Sequence, residues 1–152
     1  MYLAMILLLM AVLPAGSVLI ERLSVPESAL LPLIGKWLVF WAVGWRLLLA
    51  GAKQVRDPGF TARDIFGIAD PAAGRLVAEI GYSNLAIGAI GVASLWRPGW
   101  TVPAAVAGCI FLGLAGLGHL RAGRRNAKET IAMVSDLGVA AVLALYLFGR
   151  FL

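Results

Sequence analysis

The sequence predicts an all-α, polytopic bundle of five transmembrane helices, folded as a single domain over residues 1–152. Three observations predict it. Apolar residues make up 61% of the 152 and come in long blocks rather than in alternation. Charged residues are 14%, where soluble domains carry about 25%. Most of the charges lie in short segments between the blocks. The net charge of +5 therefore reads as a topology signal and not as a nucleic-acid footprint.

A spanning helix needs about 20 mostly apolar residues. Five blocks qualify, at about 2–20, 33–52, 76–95, 101–120 and 131–149. The first, YLAMILLLMAVLPAGSVLI, contains Pro14, which should kink the helix without abolishing it, since membrane helices tolerate proline. It lacks the basic stretch that opens a signal peptide, so it reads as an anchor helix. The second block carries Trp37, Trp41 and Trp45 at a spacing of four, an aromatic face for neighbouring helices or lipid.

The connection 53–75 is the longest. Thr61 followed by Asp64 fits a capping-box-like start, and Ile65, Phe66 and Ile68 give a short apolar face. A short interfacial helix near 61–69 is expected, with a lid over a substrate path as the alternative. Asp70 and Pro71 read as the N-cap and first-turn proline of the third span.

The third and fourth blocks are joined by RPGW, a turn flanked by tryptophans, which predicts a tight antiparallel pair. Gly81, Gly88 and Gly91 on one block, and Gly108, Gly113 and Gly116 on the other, supply small residues for close helix approach. The single cysteine, Cys109, lies mid-block among small and apolar neighbours and reads as core or lipid-facing.

Five spans put the N-terminus and the connections 53–75 and 121–130 on one side. That side holds Lys53, Arg56, Arg63, Arg75, Arg121, Arg124, Arg125 and Lys128; the other holds Arg22, Lys36, Arg97 and Arg150. The positive-inside rule then places the N-terminus in the cytoplasm and the C-terminus outside. Arg121, Arg124, Arg125 and Lys128, beside a span, are candidate contacts for anionic lipid.

Depth along the spans carries the functional argument. At about 1.5 Å per residue, Arg46, Glu79, His119, Ser135 and Asp136 all fall within roughly 3–12 Å of the cytoplasmic face, with Ser83 and Asn84 about one turn deeper than Glu79. Ionisable groups at such depth are costly, and they pair or face a cavity. Arg46 would be the anion clamp, Glu79 and Asp136 its counter-charges, and Ser83, Asn84, His119 and Ser135 the polar lining. One reading is a structural network; another is a pocket for a lipid headgroup or quinone. A proton or ion path and catalysis are the remaining alternatives. The chain shows one histidine and no GxSxG or HExxH motif, so no catalytic residue is named and no metal site is expected.

The stretches KWLVFWAVGWRLLLAGAKQ, FTARDIFGI, EIGYSNLAIGAIGVASL, PAAVAGCIFLGLAGLGHL and NAKETIAMVSDL resemble a family of small bacterial integral-membrane proteins classed as a domain of unknown function. The resemblance runs from about Pro32 onward and includes Arg46, Glu79, Asn84, His119, Asn126, Glu129, Ser135 and Asp136. It implies a multi-span helical protein of the inner membrane and supplies no activity. A looser similarity to DoxX-like small membrane proteins, some linked to quinone oxidation, implies a quinone-linked alternative.

The expected function is a non-enzymatic ligand- or lipid-binding module, or a subunit of a membrane assembly, with no cofactor predicted and a quinone as the alternative. Its expected partners are membrane lipid and a homo-oligomer or larger membrane complex, with no nucleic acid. A quinone-linked redox subunit and a small oligomeric transporter are the rivals.

Overall fold

The structure is a computed structural model that describes residues 2–122 and 125–151. Five of its helices are long and apolar enough to cross a membrane: α1 (Tyr2–Ser24), α2 (Leu30–Arg56), α4 (Ala73–Ala93), α5 (Pro98–Arg121) and α6 (Ala127–Phe151). A short helix, α3, made of Pro58–Phe60 and the wide turn Thr61–Ile65, lies in the connection between α2 and α4. No strand occurs among the described residues.

Burial ranks the spans. The most apolar stretch of α2 is 56% buried, that of α1 only 17%. Helix α2 is the central one because its small and branched residues meet neighbours on several sides. Val39, Ala42, Val43 and Leu47 join Ala104, Ala105 and Leu112 of α5, and Val139, Ala140, Leu143 and Tyr146 of α6, in one apolar core. The outward faces are greasy instead of polar: Leu76, Leu114, Leu145 and Phe148 are each about two-thirds exposed. A bundle with apolar residues both inside and outside is built for a hydrocarbon surround.

Glycine decides which helices touch, and it corrects the expected pairing of the third and fourth spans. Helix α4 packs on α2, not tightly on α5. A Cβ added at Gly88 would lie 2.7 Å from the Leu48 nitrogen and 2.9 Å from the Gly44 carbonyl oxygen. At Gly91 it would lie 2.8 Å from the Gly44 Cα. Only backbone-on-backbone contact leaves so little room, the close approach that small residues permit between membrane helices. Helix α5 turns its glycines the other way, Gly108 against Val43 of α2 and Gly116 against Leu137 of α6. The RPGW turn thus joins two helices whose tight partners lie elsewhere.

Two of the long helices contain wide, π-type stretches. In α1 it spans Leu8–Val12, ending two residues before Pro14, whose missing N–H and bulky ring disturb the ladder of the preceding turn. In α2 it spans Val39–Trp45, and the Arg46 N–H reaches back five residues to the Trp41 carbonyl. Each inserted residue rotates everything beyond it by about 100° relative to a straight helix.

Helices α1 and α2 are clasped at the end away from the N-terminus. Glu21 accepts from Lys36 Nζ at 2.8 Å and from Trp37 Nε1 at 2.6 Å, and Trp41 Nε1 donates to Ser17 Oγ at 3.0 Å. Two of the three tryptophans thus serve the α1–α2 contact, while Trp45 is exposed. The Cys109 thiol, half-buried, donates to the Ala140 carbonyl at 3.4 Å between α5 and α6.

The short helix α3 begins earlier than its sequence suggests. Asp57, not Thr61, is its N-cap: Asp57 Oδ1 accepts from the Phe60 N–H at 3.3 Å, and Pro58 occupies the first turn. Thr61, Ala62 and Ile65 turn inward and are buried, and the chain leaves the helix at Phe66. Asp70 Oδ1 accepts from the Ala72 N–H at 2.8 Å and so caps the turn that leads into α4.

Candidate polar chamber and lateral groove

Arg46 leaves the π-type stretch of α2 pointing into the bundle. Its Nη2 donates to Ser135 Oγ at 3.0 Å and to Asp136 Oδ1, both on α6. Ser135 Oγ in turn donates to the Ala132 carbonyl at 2.8 Å. Arg46 is 8% exposed and Asp136 6%, so the pair is held out of solvent. Taking two charges out of water costs several kcal/mol each, and removing only one partner leaves the full penalty on the other.

Asn84 of α4 faces the same space. It is 4% exposed and its Nδ2 donates to Gln54 Oε1 at 2.6 Å. Arg46 Nη1 and Asn84 Oδ1 are buried and have no hydrogen-bond partner among the described residues. One donor and one acceptor therefore retain unused hydrogen-bonding capacity at the centre of the bundle, a costly state unless something fills it.

These side chains line a chamber of about 200 Å3. Its polar wall is Arg46, Lys53, Gln54, Thr61, Asn84, His119 and Asp136, and its aromatic wall is Tyr2, Phe60, Phe66 and Phe111. The first turns of α1 and the inward face of α3 close it on the side of the N-terminus. A second space, an apolar groove of about 810 Å3, runs along the bundle between α4 and α5, where those helices do not pack tightly. Ile80, Ile87, Ile110 and Leu114 line it. Phe66, Ile80, Phe111, Ala115 and His119 belong to both walls, so the chamber and the groove adjoin.

At that junction His119 Nδ1 lies 3.2 Å from Glu129 Oε1, and the Glu129 side chain is buried. Asn126 makes this possible. Its Oδ1 accepts from the Glu129 N–H at 2.9 Å and caps α6, while its Nδ2 donates to the Asp64 and Ile65 carbonyls of α3. In a capping box a glutamate in this position returns to the cap residue's own N–H. Here the glutamate turns to the histidine of α5.

A family model described as "Family of unknown function (DUF6790)" matches residues 1–149. The chain belongs to this family. No curated protein and no solved structure matches it.

In this DUF6790 chain the residues singled out from the sequence separate into two groups. Arg46, Asn84, His119, Ser135 and Asp136 converge on the chamber or its immediate wall. Glu79 and Ser83 do not: both are exposed on α4, and Ser83 Oγ donates back to the Glu79 carbonyl at 3.4 Å. The counter-charge of Arg46 is Asp136, and Glu79 plays no part in it. Glu79 lies on the outward face of α4, since Val77, Gly81 and Asn84 turn the other side inward.

The basic connection is also more committed than its charge suggests. Arg125 Nη1 donates to the carbonyls of His119, Leu120 and Ala122, capping the C-terminus of α5. Lys128 Nζ pairs with Asp64 Oδ2 at 2.7 Å and, like Lys53, lies over the Phe60 ring. Arg121 is exposed, and Arg124 lies outside the described residues. Lys53 also pairs with Asp57 Oδ2 at 2.6 Å, and that ammonium holds the Asp57 carboxyl below the usual carboxylate range.

Two polar members of this DUF6790 site, Glu129 and Gln54, were not among the sequence candidates. The Asn126-x-x-Glu129 spacing, a helix-start signature, was the available signal for Glu129. Gln54 has none, because an uncharged residue at the end of a span carries no depth penalty. Among the described residues no cluster of three or more His, Cys, Asp or Glu is placed to hold a metal ion.

Proposed function

We propose that this protein binds an amphipathic molecule taken sideways from the bilayer, holding its polar head in the chamber and its hydrocarbon in the groove. It acts as a binding module, alone or within a larger membrane assembly, in a bacterial inner membrane with the N-terminus cytoplasmic. The observation that carries this reading is the shared wall of Phe66, Ile80, Phe111, Ala115 and His119 between a polar cavity and an apolar one. Ligand sites are mostly apolar clefts with a few convergent polar groups, and they form where helices of a bundle part. The excess of basic residues on the connections 53–75 and 121–130 supports the orientation. Exposed Arg121 supports a looser contact with anionic lipid on the same side.

The test is retention of a lipid-like molecule through purification. Native mass spectrometry of the detergent-solubilised protein should show a bound amphiphile and report the oligomeric state with it. Ala115→Phe would fill the junction and should abolish retention, whereas Val134→Phe, on an exposed face, should not. Equal retention in both variants would defeat the proposal.

A quinone-linked redox role is the second reading. The placement of the His119–Glu129 pair at the junction favours it, because a head group there would have a proton-carrying partner beside it. Purified protein that does not retain an added quinone would remove it.

A further inference from the structure

The chamber's charges are already matched, and this limits what head group it can take. Arg46 is committed to Asp136, with Ser135 as a third member. Lys53, the other cation on the wall, is half-exposed, pairs with Asp57 and lies over Phe60. Near the junction the additional ionisable neighbour is a carboxylate, Glu129, beside His119. An anionic head entering this space would meet no unpaired buried cation, and its desolvation would go uncompensated.

The unused capacity is of another kind. Arg46 Nη1 and Asn84 Oδ1 are one donor and one acceptor, both buried and unpartnered, on two side chains that line the chamber. An uncharged group that both accepts and donates, a hydroxyl above all, satisfies such a pair without adding net charge. A volume of about 200 Å3 is enough for one six-membered ring, since a cavity of about 150 Å3 holds benzene. The rings of Tyr2, Phe60, Phe66 and Phe111 in the lining suit an aromatic or compact cyclic head better than a glycerophosphate.

Building on the amphiphile-binding reading, we infer that the site selects an uncharged, hydroxyl-bearing head group about one ring in size, and that Asp136 is the residue that sets this choice by neutralising Arg46. Without the carboxylate, Arg46 would be a bare buried guanidinium, and the same chamber would favour an anion.

Two probes with one tail separate these cases: para-dodecylphenol, neutral at pH 7, and para-dodecylbenzenesulfonate, anionic at every working pH. Each is added below its micelle concentration to the full chain in nanodiscs, and bound fractions are read by native mass spectrometry. The wild type should hold the phenol at least about tenfold more tightly than the sulfonate. Asp136→Asn should narrow or reverse that ratio. The double variant Arg46→Gln/Asp136→Asn should lose the gained sulfonate binding, and it should hold the phenol more weakly than the wild type because the Nη1 donor is gone.

A wild type that binds the sulfonate as well as the phenol overturns the selectivity and leaves the amphiphile site standing. Binding of neither probe overturns the site itself. A folded Asp136→Asn protein with an unchanged ratio overturns the role of Asp136. Should that variant not fold, the wild-type ratio and the double variant decide the matter.

Discussion

Asp136 on α6 closes on the Arg46 guanidinium of α2 across 90 residues of chain, with both groups more than nine-tenths buried. The ion pair therefore ties the central helix to the last one and also forms part of the chamber wall. Its energetic asymmetry gives a first prediction. Arg46→Met alone leaves the Asp136 carboxylate buried without its counter-ion and should cost about 3–5 kcal/mol. The double variant Arg46→Met/Asp136→Leu removes both charges and should recover most of that loss, since paired buried ions are often replaceable by apolar groups. Thermal unfolding in detergent, followed by tryptophan fluorescence, measures both. A double variant no more stable than the single one would show that the pair is not the coupled unit described.

The span positions and the pairing of Arg46 with Asp136 were legible because both follow from one-dimensional quantities, block length and depth along a helix. The face each residue takes was not. Glu79 and Asn84 lie within two turns on one helix, yet only Asn84 turns inward. The wide stretch Val39–Trp45 resets the phase of α2 just before Arg46, so a straight helical wheel cannot place that side chain. Helix partners were also hidden. Gly88 and Gly91 announce a close approach without saying to which helix, and the short RPGW turn suggested α5 where the backbone of α2 is what they meet.

That contact makes the second prediction. Gly88→Ala places a methyl 2.7 Å from the Leu48 nitrogen, and Gly91→Ala places one 2.8 Å from the Gly44 Cα. Backbone cannot step aside as a side chain can, so each should cost about 1–3 kcal/mol through overpacking. Gly138→Ala, with nothing within 4 Å of the added Cβ, should be neutral or more stable by up to about 1 kcal/mol, through helix propensity alone. The melting temperatures of Gly88→Ala and Gly91→Ala should fall below the wild type, and that of Gly138→Ala at or above it. Similar shifts for all three would contradict the packing of α4 on α2.

Acid should loosen α3 before it loosens the bundle. The Lys53 ammonium beside Asp57, together with the Phe60 N–H it accepts, holds the Asp57 carboxyl below its usual range. A depressed carboxyl pKa contributes stability that is present above the unfolded value, about 3.9, and is lost as pH falls through the lower folded value. Protection of the Phe60 amide and the following turn, taken relative to the intrinsic exchange rate at each pH, should therefore fall below about pH 4, while α5 and α6 remain protected. Asp57→Asn keeps a capping side chain but loses the ion pair, and it should remove the pH dependence of that protection in this range. Parallel acid exposure of α3 and α6 would contradict this.

Asn126 joins three elements with one side chain: its Oδ1 caps α6, its Nδ2 holds the last carbonyls of α3, and the cap directs Glu129 toward His119. Asn126→Asp retains the acceptor for the cap and loses the donor to α3; Asn126→Ala loses both. Loss of the cap alone costs about 1 kcal/mol, so most of the stability difference between the two variants should be that amount. The donor is a separate matter. Both variants should release α3 and open the chamber on that side, which exchange at Thr61–Ile65 would report as faster in each. If Asn126→Asp left that exchange at the wild-type rate, the tether would be carried by Lys128 and Asp64 instead, whose Nζ–Oδ2 distance is 2.7 Å. Lys128→Gln in the Asn126→Asp background would then be the variant that frees the helix.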